Sequence, residues 1–146
     1  MFEDWTQKAN KFIKEVSDEM ETDKETALRI VKAVLHTLRD RLTPMESKDL
    51  VSQLPMLLKA IWCDGWSPDK TPDKSIKKKE DFIEYVFSSP ELVQPKDLED
   101  IEGARKAVIS VFSILKRHLT QGEVDDIASQ LPEDIKILWL QPKIFS

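Results

Sequence analysis

Glu46 with Asp49, and again Glu123 with Asp126, are the side chains whose types and spacing best suit acid–base chemistry. Acids three residues apart share one face of a helix, so each pair could set a proton donor beside a proton acceptor. The same residues have a plainer use. Thr43-Pro44-Met45-Glu46 and Thr120-Gln121-Gly122-Glu123 both fit a capping box. There the Thr hydroxyl accepts from the backbone N–H three residues on, and the Glu carboxylate reaches back to the cap N–H. An acid in the first turn also suits the helix dipole. Glu46 and Glu123 are therefore read as helix punctuation, and Asp49 and Asp126 as part of a candidate interaction surface.

Other chemistries find less support. His36 and His118 do not occupy matching positions in the internal repeat described below, and both are expected to face solvent. Cys63 lies near neither histidine in sequence, so no Cys–His pair is assigned. No set of His, Cys and carboxylate residues has metal-ligand spacing, and Gly65, Gly103 and Gly122 are too far apart for a phosphate loop. Lys70, Lys74, Lys77, Lys78 and Lys79 stand against Asp69 and Asp73, a local charge of +3. Lys77, Lys78 and Lys79 join Asp49 and Asp126 in the candidate interaction surface, while catalytic, cofactor and metal residues are expected to be none.

The elements that must carry these residues are written twice. Laying Thr26 to Trp62 over Gly103 to Trp139 without a gap matches 14 of 37 positions, at a period of 77 residues. Ala27, Ile30, Val31, Val34, Leu35, Leu38 and Leu42 form one helical stripe, as do Ala104, Ala107, Val108, Val111, Phe112, Leu115 and Leu119. Arg29, His36 and Arg39, or Lys106, Ser113 and Lys116, fall on the other side. Thr43 and Thr120 then start a second helix, with Pro44 suited to its first position. Gln53-Leu54-Pro55 and Gln130-Leu131-Pro132 break the chain before a short third helix carrying Trp62 or Trp139. A long first helix with Phe2, Trp5, Ala9, Phe12, Ile13, Val16 and Met20 has a short counterpart near Glu80 to Phe87. The fold expected is all-α, about eight helices in two tandem four-helix repeats around one core, related by a pseudo-two-fold axis.

The chain is read as one domain: residues 1–64 the first repeat, 65–79 a linker interrupted by Gly65, Pro68 and Pro72, and 80–146 the second repeat. Seven extra residues in the second repeat fall around Ser88 to Pro95, a loop by its two prolines. A net charge of −5 argues against a surface devoted to nucleic acid or anionic lipid. The single cysteine, the absence of a leader-like N-terminus and the lack of any apolar run near the ~18 residues of a membrane span point to a cytoplasmic protein.

Leu42-Thr43, Gln53-Leu54-Pro55, Trp62, Gly65-Trp66-Ser67-Pro68, Phe82 with Val86, and Gln130-Leu131-Pro132 together resemble the bacterial domain of unknown function 2267, over nearly the whole chain. The resemblance implies an all-helical protein and carries over no functional residues. The function expected is a non-enzymatic soluble helical protein-interaction or scaffold module, with a protein or a second copy as partner, no membrane and no known small-molecule ligand. Nucleic-acid association through the Lys-rich linker is the alternative, and an enzyme with a carboxylate site a further one.

Overall fold

The computed structural model describes residues 2–142, with side chains from residue 10 onward. Phe2, Trp5 and Ala9, expected on the apolar stripe of the first helix, lie outside the described side chains. Among the described residues there are eight α-helices and no strand. They are α1 (Phe2–Met20), α2 (Lys24–Arg41), α3 (Pro44–Val51), α4 (Met56–Cys63), α5 (Lys79–Phe87), α6 (Ile101–Lys116), α7 (Gln121–Gln130) and α8 (Glu133–Leu140). A single 3-10 turn, Pro68–Lys70, interrupts the segment between α4 and α5.

Local chemistry explains where the helices begin. Asp23 accepts from the Thr26 N–H at 2.7 Å and Asp100 from the Gly103 N–H at 2.8 Å, capping α2 and α6. Thr43 and Thr120 cap α3 and α7 in the same way, accepting from Glu46 N–H and Glu123 N–H at 3.2 Å each. Pro55 and Pro132 stand at the residue before α4 and α8. Thr43→Ala and Thr120→Ala should each cost about 1 kcal/mol in urea unfolding through the lost cap. Thr43→Ala is the larger, because the Thr43 hydroxyl also donates to Gln130 Oε1 at 3.1 Å.

α2 and α6 lie against each other at the centre. α2 is covered by α1, α4 and α5, and α6 by α5, α8 and α1. Exchanging α1–α4 for α5–α8 leaves the set of principal packed pairs unchanged; α2 with α6, and α3 with α7, map onto themselves. The buried residues form one cluster that includes the expected stripes and both Trp62 and Trp139. Leu119, at the end of its stripe, is only partly buried. α6 also buries Ile109, Ser110 and Ile114, because helices cover it on several sides. Phe112 sits between Phe82 and Trp139 in edge-on contacts, with centroids 5.4 and 5.0 Å away.

The two segments that distinguish the halves both fold onto α2. Ile76 of the segment between α4 and α5 is buried, Asp73 N–H donates to Asp40 O at 2.6 Å, and Arg41 Nε donates to Ile76 O at 3.0 Å. The loop after α5 is tied down by Arg29. Its guanidinium grips Asp97 in a two-pronged ion pair at 2.6 and 2.8 Å, holding that carboxyl below its ordinary range. The face of α2 read as solvent-directed is thus largely covered. Arg39 is only 6% exposed and His36 half-buried, a correction to the sequence expectation. A helical pattern records which face is apolar, but not which loops return over the opposite face.

Candidate functional site

α3 and α7 are short helices that begin where α2 and α6 end, and they pack against each other. Their capped first turns bring four repeated residues into one seam. Thr43 N–H and Oγ1 both donate to Gln130 Oε1, at 3.4 and 3.1 Å, while Gln130 Nε2 donates to Glu46 Oε1 at 3.0 Å. From the other side, Thr120 N–H donates to Gln53 Oε1 at 2.9 Å. Each glutamine thus takes the cap N–H that the capping box would give to its own Glu. The box is half correct: both Thr oxygens accept as expected, but neither Glu reaches back.

Freed from that role, Glu46 and Glu123 turn inward and are 5% and 4% exposed. Each keeps one oxygen, Oε2, buried with no donor among the described residues. Asp126 approaches from α7, so that one carboxylate oxygen from each of Glu46, Glu123 and Asp126 lies within 4.8 Å of the others. Burial first, then the hydrogen bond and charge of Glu46, then Asp49 and Asp126, push the Glu123 carboxyl up to about 8. The Glu123 carboxyl therefore retains its proton at neutral pH. Asp126 and Asp49 are exposed. The arrangement could pass a proton between two carboxyls or hold a cation with oxygen ligands.

The raised carboxyl makes stability depend on pH. The folded chain keeps a proton that the unfolded chain releases above its ordinary range near 4.5, so stability falls as pH rises through about 8. The slope is at most about 1.4 kcal/mol per pH unit. Burial lowers the His118 pKa and gives an opposing slope below 6.5, so pH 6.5 to 8 is the clean window. Urea unfolding across that window should show the decline in the natural chain and lose it in Glu123→Gln.

A cation closes the end of the last helix in each half. Arg39 donates to Trp62 O at 2.9 Å and Asp64 O at 2.7 Å, and its Nε to Asp40 at 3.0 Å. Lys116, 77 positions on, donates to Trp139 O and lies 5.5 Å from the centre of the Trp139 indole. Both were read as facing away from the core. Each instead neutralises carbonyls that a helix C-terminus leaves open.

A polar cleft of about 650 Å3 lies between α2 and α5, walled by Ser75 and Ile76 on one side and Ser88 to Glu91 on the other. It is built from the segments in which the two halves differ. His36 and Tyr85 face it. The His36 Nε2 lies 2.6 Å from Ile61 O, to which it donates, and Nδ1 is 3.8 Å from Glu91. His118, also expected in solvent, instead packs its ring 5.2 Å from that of Phe12 and is half-buried. Neither histidine is the free surface residue anticipated, because loop and helix contacts absorb both. Cys63 is exposed.

The predicted interaction surface divides in two. Asp49 and Asp126 flank the seam on α3 and α7, whereas Lys77, Lys78 and Lys79 open α5, which packs on α2, α6 and α8. There Lys77 and Lys78 N–H groups donate to Asp81 Oδ2, and Lys79 N–H donates to Asp134 Oδ2 at 2.7 Å. Gln53 and Gln130 were not among the predicted site residues. Their signal was present, since both are glutamines 77 positions apart without a helix-forming reason.

The profile of the family described as "Uncharacterized conserved protein (DUF2267)" matches residues 9–138. The chain belongs to the DUF2267 family. All three acids of the seam, both glutamines and Trp62 fall within the matched residues, which end one position before Trp139. No curated protein matches the chain.

Proposed function

We propose that this DUF2267 chain is a protein-interaction module built from two equivalent four-helix units, each offering an apolar groove to a partner helix. One observation carries the reading. A groove of about 470 Å3 between α1, α2 and α4 is lined by Ile13, Leu28, Leu57, Leu58 and Ile61. A second, of about 370 Å3 between α5, α6 and α8, is lined by Ile83, Ile101, Ile137 and Leu138. Glu25 and Glu102, Ala60 and Ile137, and Ile61 and Leu138 are lining residues 77 positions apart, and Ile13 and Ile83 are 70 apart, the offsets of the internal repeat. Leu57, Ile101 and Ile137 are 47%, 49% and 50% exposed there. Paired apolar grooves of this size suit helix-in-groove recognition, in which a partner lays apolar residues at i, i+3/i+4 and i+7 into the groove.

The rims supply selectivity. Lys24 and Lys32 against Glu25 leave the first groove net positive and favour acidic flanks on its occupant; Glu80, Glu84 and Glu102 against Lys79 and Arg105 leave the second net negative and favour basic ones. Lys77 and Lys78 donate their backbone N–H groups to Asp81, so that run carries an acid beside its lysines and suits phosphate contacts poorly. A cytoplasmic setting agrees with an exposed free thiol at Cys63.

The test is immobilised wild type beside Leu57→Glu, Ile137→Glu and the double variant, challenged with extract of the native host. The same protein should be captured by wild type, more weakly by each single variant and not by the double variant. Calorimetry with that purified partner should then count two sites per chain. Undiminished capture by a folded double variant would overturn the reading.

A further inference from the structure

The geometry points to a binding site for a hard divalent cation in the seam between α3 and α7, held by Glu46, Glu123 and Asp126. The inference is independent of the grooves. Three observations combine. One oxygen from each carboxylate lies within 4.8 Å of the other two. Oxygens bound to one ion at roughly 2.1 to 2.6 Å are about 3 Å apart when adjacent and about 4 to 5 Å apart when opposite, so this spacing fits one ion between them. Glu46 and Glu123 are at least nine-tenths buried, and each has an oxygen that no donor among the described residues satisfies. An unsatisfied buried carboxylate oxygen is costly, and two of them side by side call for a positive charge between them.

The described side chains do not provide that charge. Among the described residues no lysine or arginine forms an ion pair with Glu46, Glu123, Asp49 or Asp126. A divalent ion engages all three. The donors are all carboxylate oxygen, which selects Mg2+, Mn2+ or Ca2+ over thiolate- and imidazole-seeking metals. Exposed Asp126 gives the route of entry, and water fills the remaining positions, as is usual for sites with few protein ligands. Gln130 Nε2 on Glu46 Oε1 fixes one ligand in place, an outer contact of the kind that orients metal carboxylates. Asp49 adds negative charge from α3.

Mn2+ is the probe. Bound Mn2+ is counted by electron paramagnetic resonance, and thermal unfolding is followed with and without the ion at one fixed pH. Wild type should bind one Mn2+ per chain, with a rise in Tm on adding the ion. Glu123→Gln should lose the rise and weaken binding at least tenfold. Asp126→Asn, an exposed change that leaves the core intact, should weaken binding while the chain stays folded. Absence of bound Mn2+ in wild type, or binding unchanged in Asp126→Asn and Glu123→Gln alike, would overturn the site.

Discussion

Trp62→Ala and Trp139→Ala should each lower the free energy of unfolding by about 3 to 5 kcal/mol, the range for emptying a large core site. Both indoles are fully buried, at the ends of α4 and α8 and against the long central helices. Replacement by Phe separates packing from hydrogen bonding. Trp139 Nε1 donates to Val124 O at 3.0 Å, tying α8 to α7, whereas Trp62 Nε1 has no acceptor among the described residues. Trp139→Phe should therefore cost about 1 kcal/mol more than Trp62→Phe, the worth of one buried hydrogen bond. Equal losses in urea unfolding would mean the Trp139 bond contributes nothing net. A loss below about 1 kcal/mol for either Ala variant would make that indole a surface group.

Arg39→Met should cost about 3 kcal/mol, far more than an ordinary surface arginine. Its guanidinium spans the Trp62 and Asp64 carbonyls and the Asp40 carboxylate in a nearly dry position. Methionine keeps much of the apolar stem but leaves those acceptors without donors. Arg39→Lys should recover less than half of the loss, because one ammonium cannot reach three acceptors held in a planar fork. Lys116→Met is the comparison: that lysine is less deeply buried and donates to the Trp139 carbonyl alone, so about 1 kcal/mol is expected. If Arg39→Met unfolds at the same urea concentration as the natural chain, the buried cation is dispensable.

These two effects show where local pattern stops being informative. Trp62 and Trp139 were legible as core because each completes a helical stripe after a proline break, and such stripes have no other way to leave water. Arg39 was not legible: on a helical wheel it belongs to the polar face, and only the return of α4 over that face turns it inward. His36 was misread for the same reason, with loop residues up to Glu91 crossing above it. The capping threonines were read correctly because their acceptor lies three residues away on the same turn. The matching role for Glu46 and Glu123 failed because Gln130 and Gln53 arrive from the other half of the chain and occupy the donors those acids would have used.

The amino-acid sequence by itself determined an all-helical chain, the positions of its helix starts and breaks, and its main apolar stripes. Those features rest on interactions within about four residues: caps, prolines and 3.6-residue periodicity. Only the tertiary structure decided that Glu46 and Glu123 meet, that Asp126 joins them, and that the glutamines hold the seam. Residues 77 positions apart carry no local trace of contact, and the partner that arrives there sets burial, proton affinity and the capacity to hold a cation.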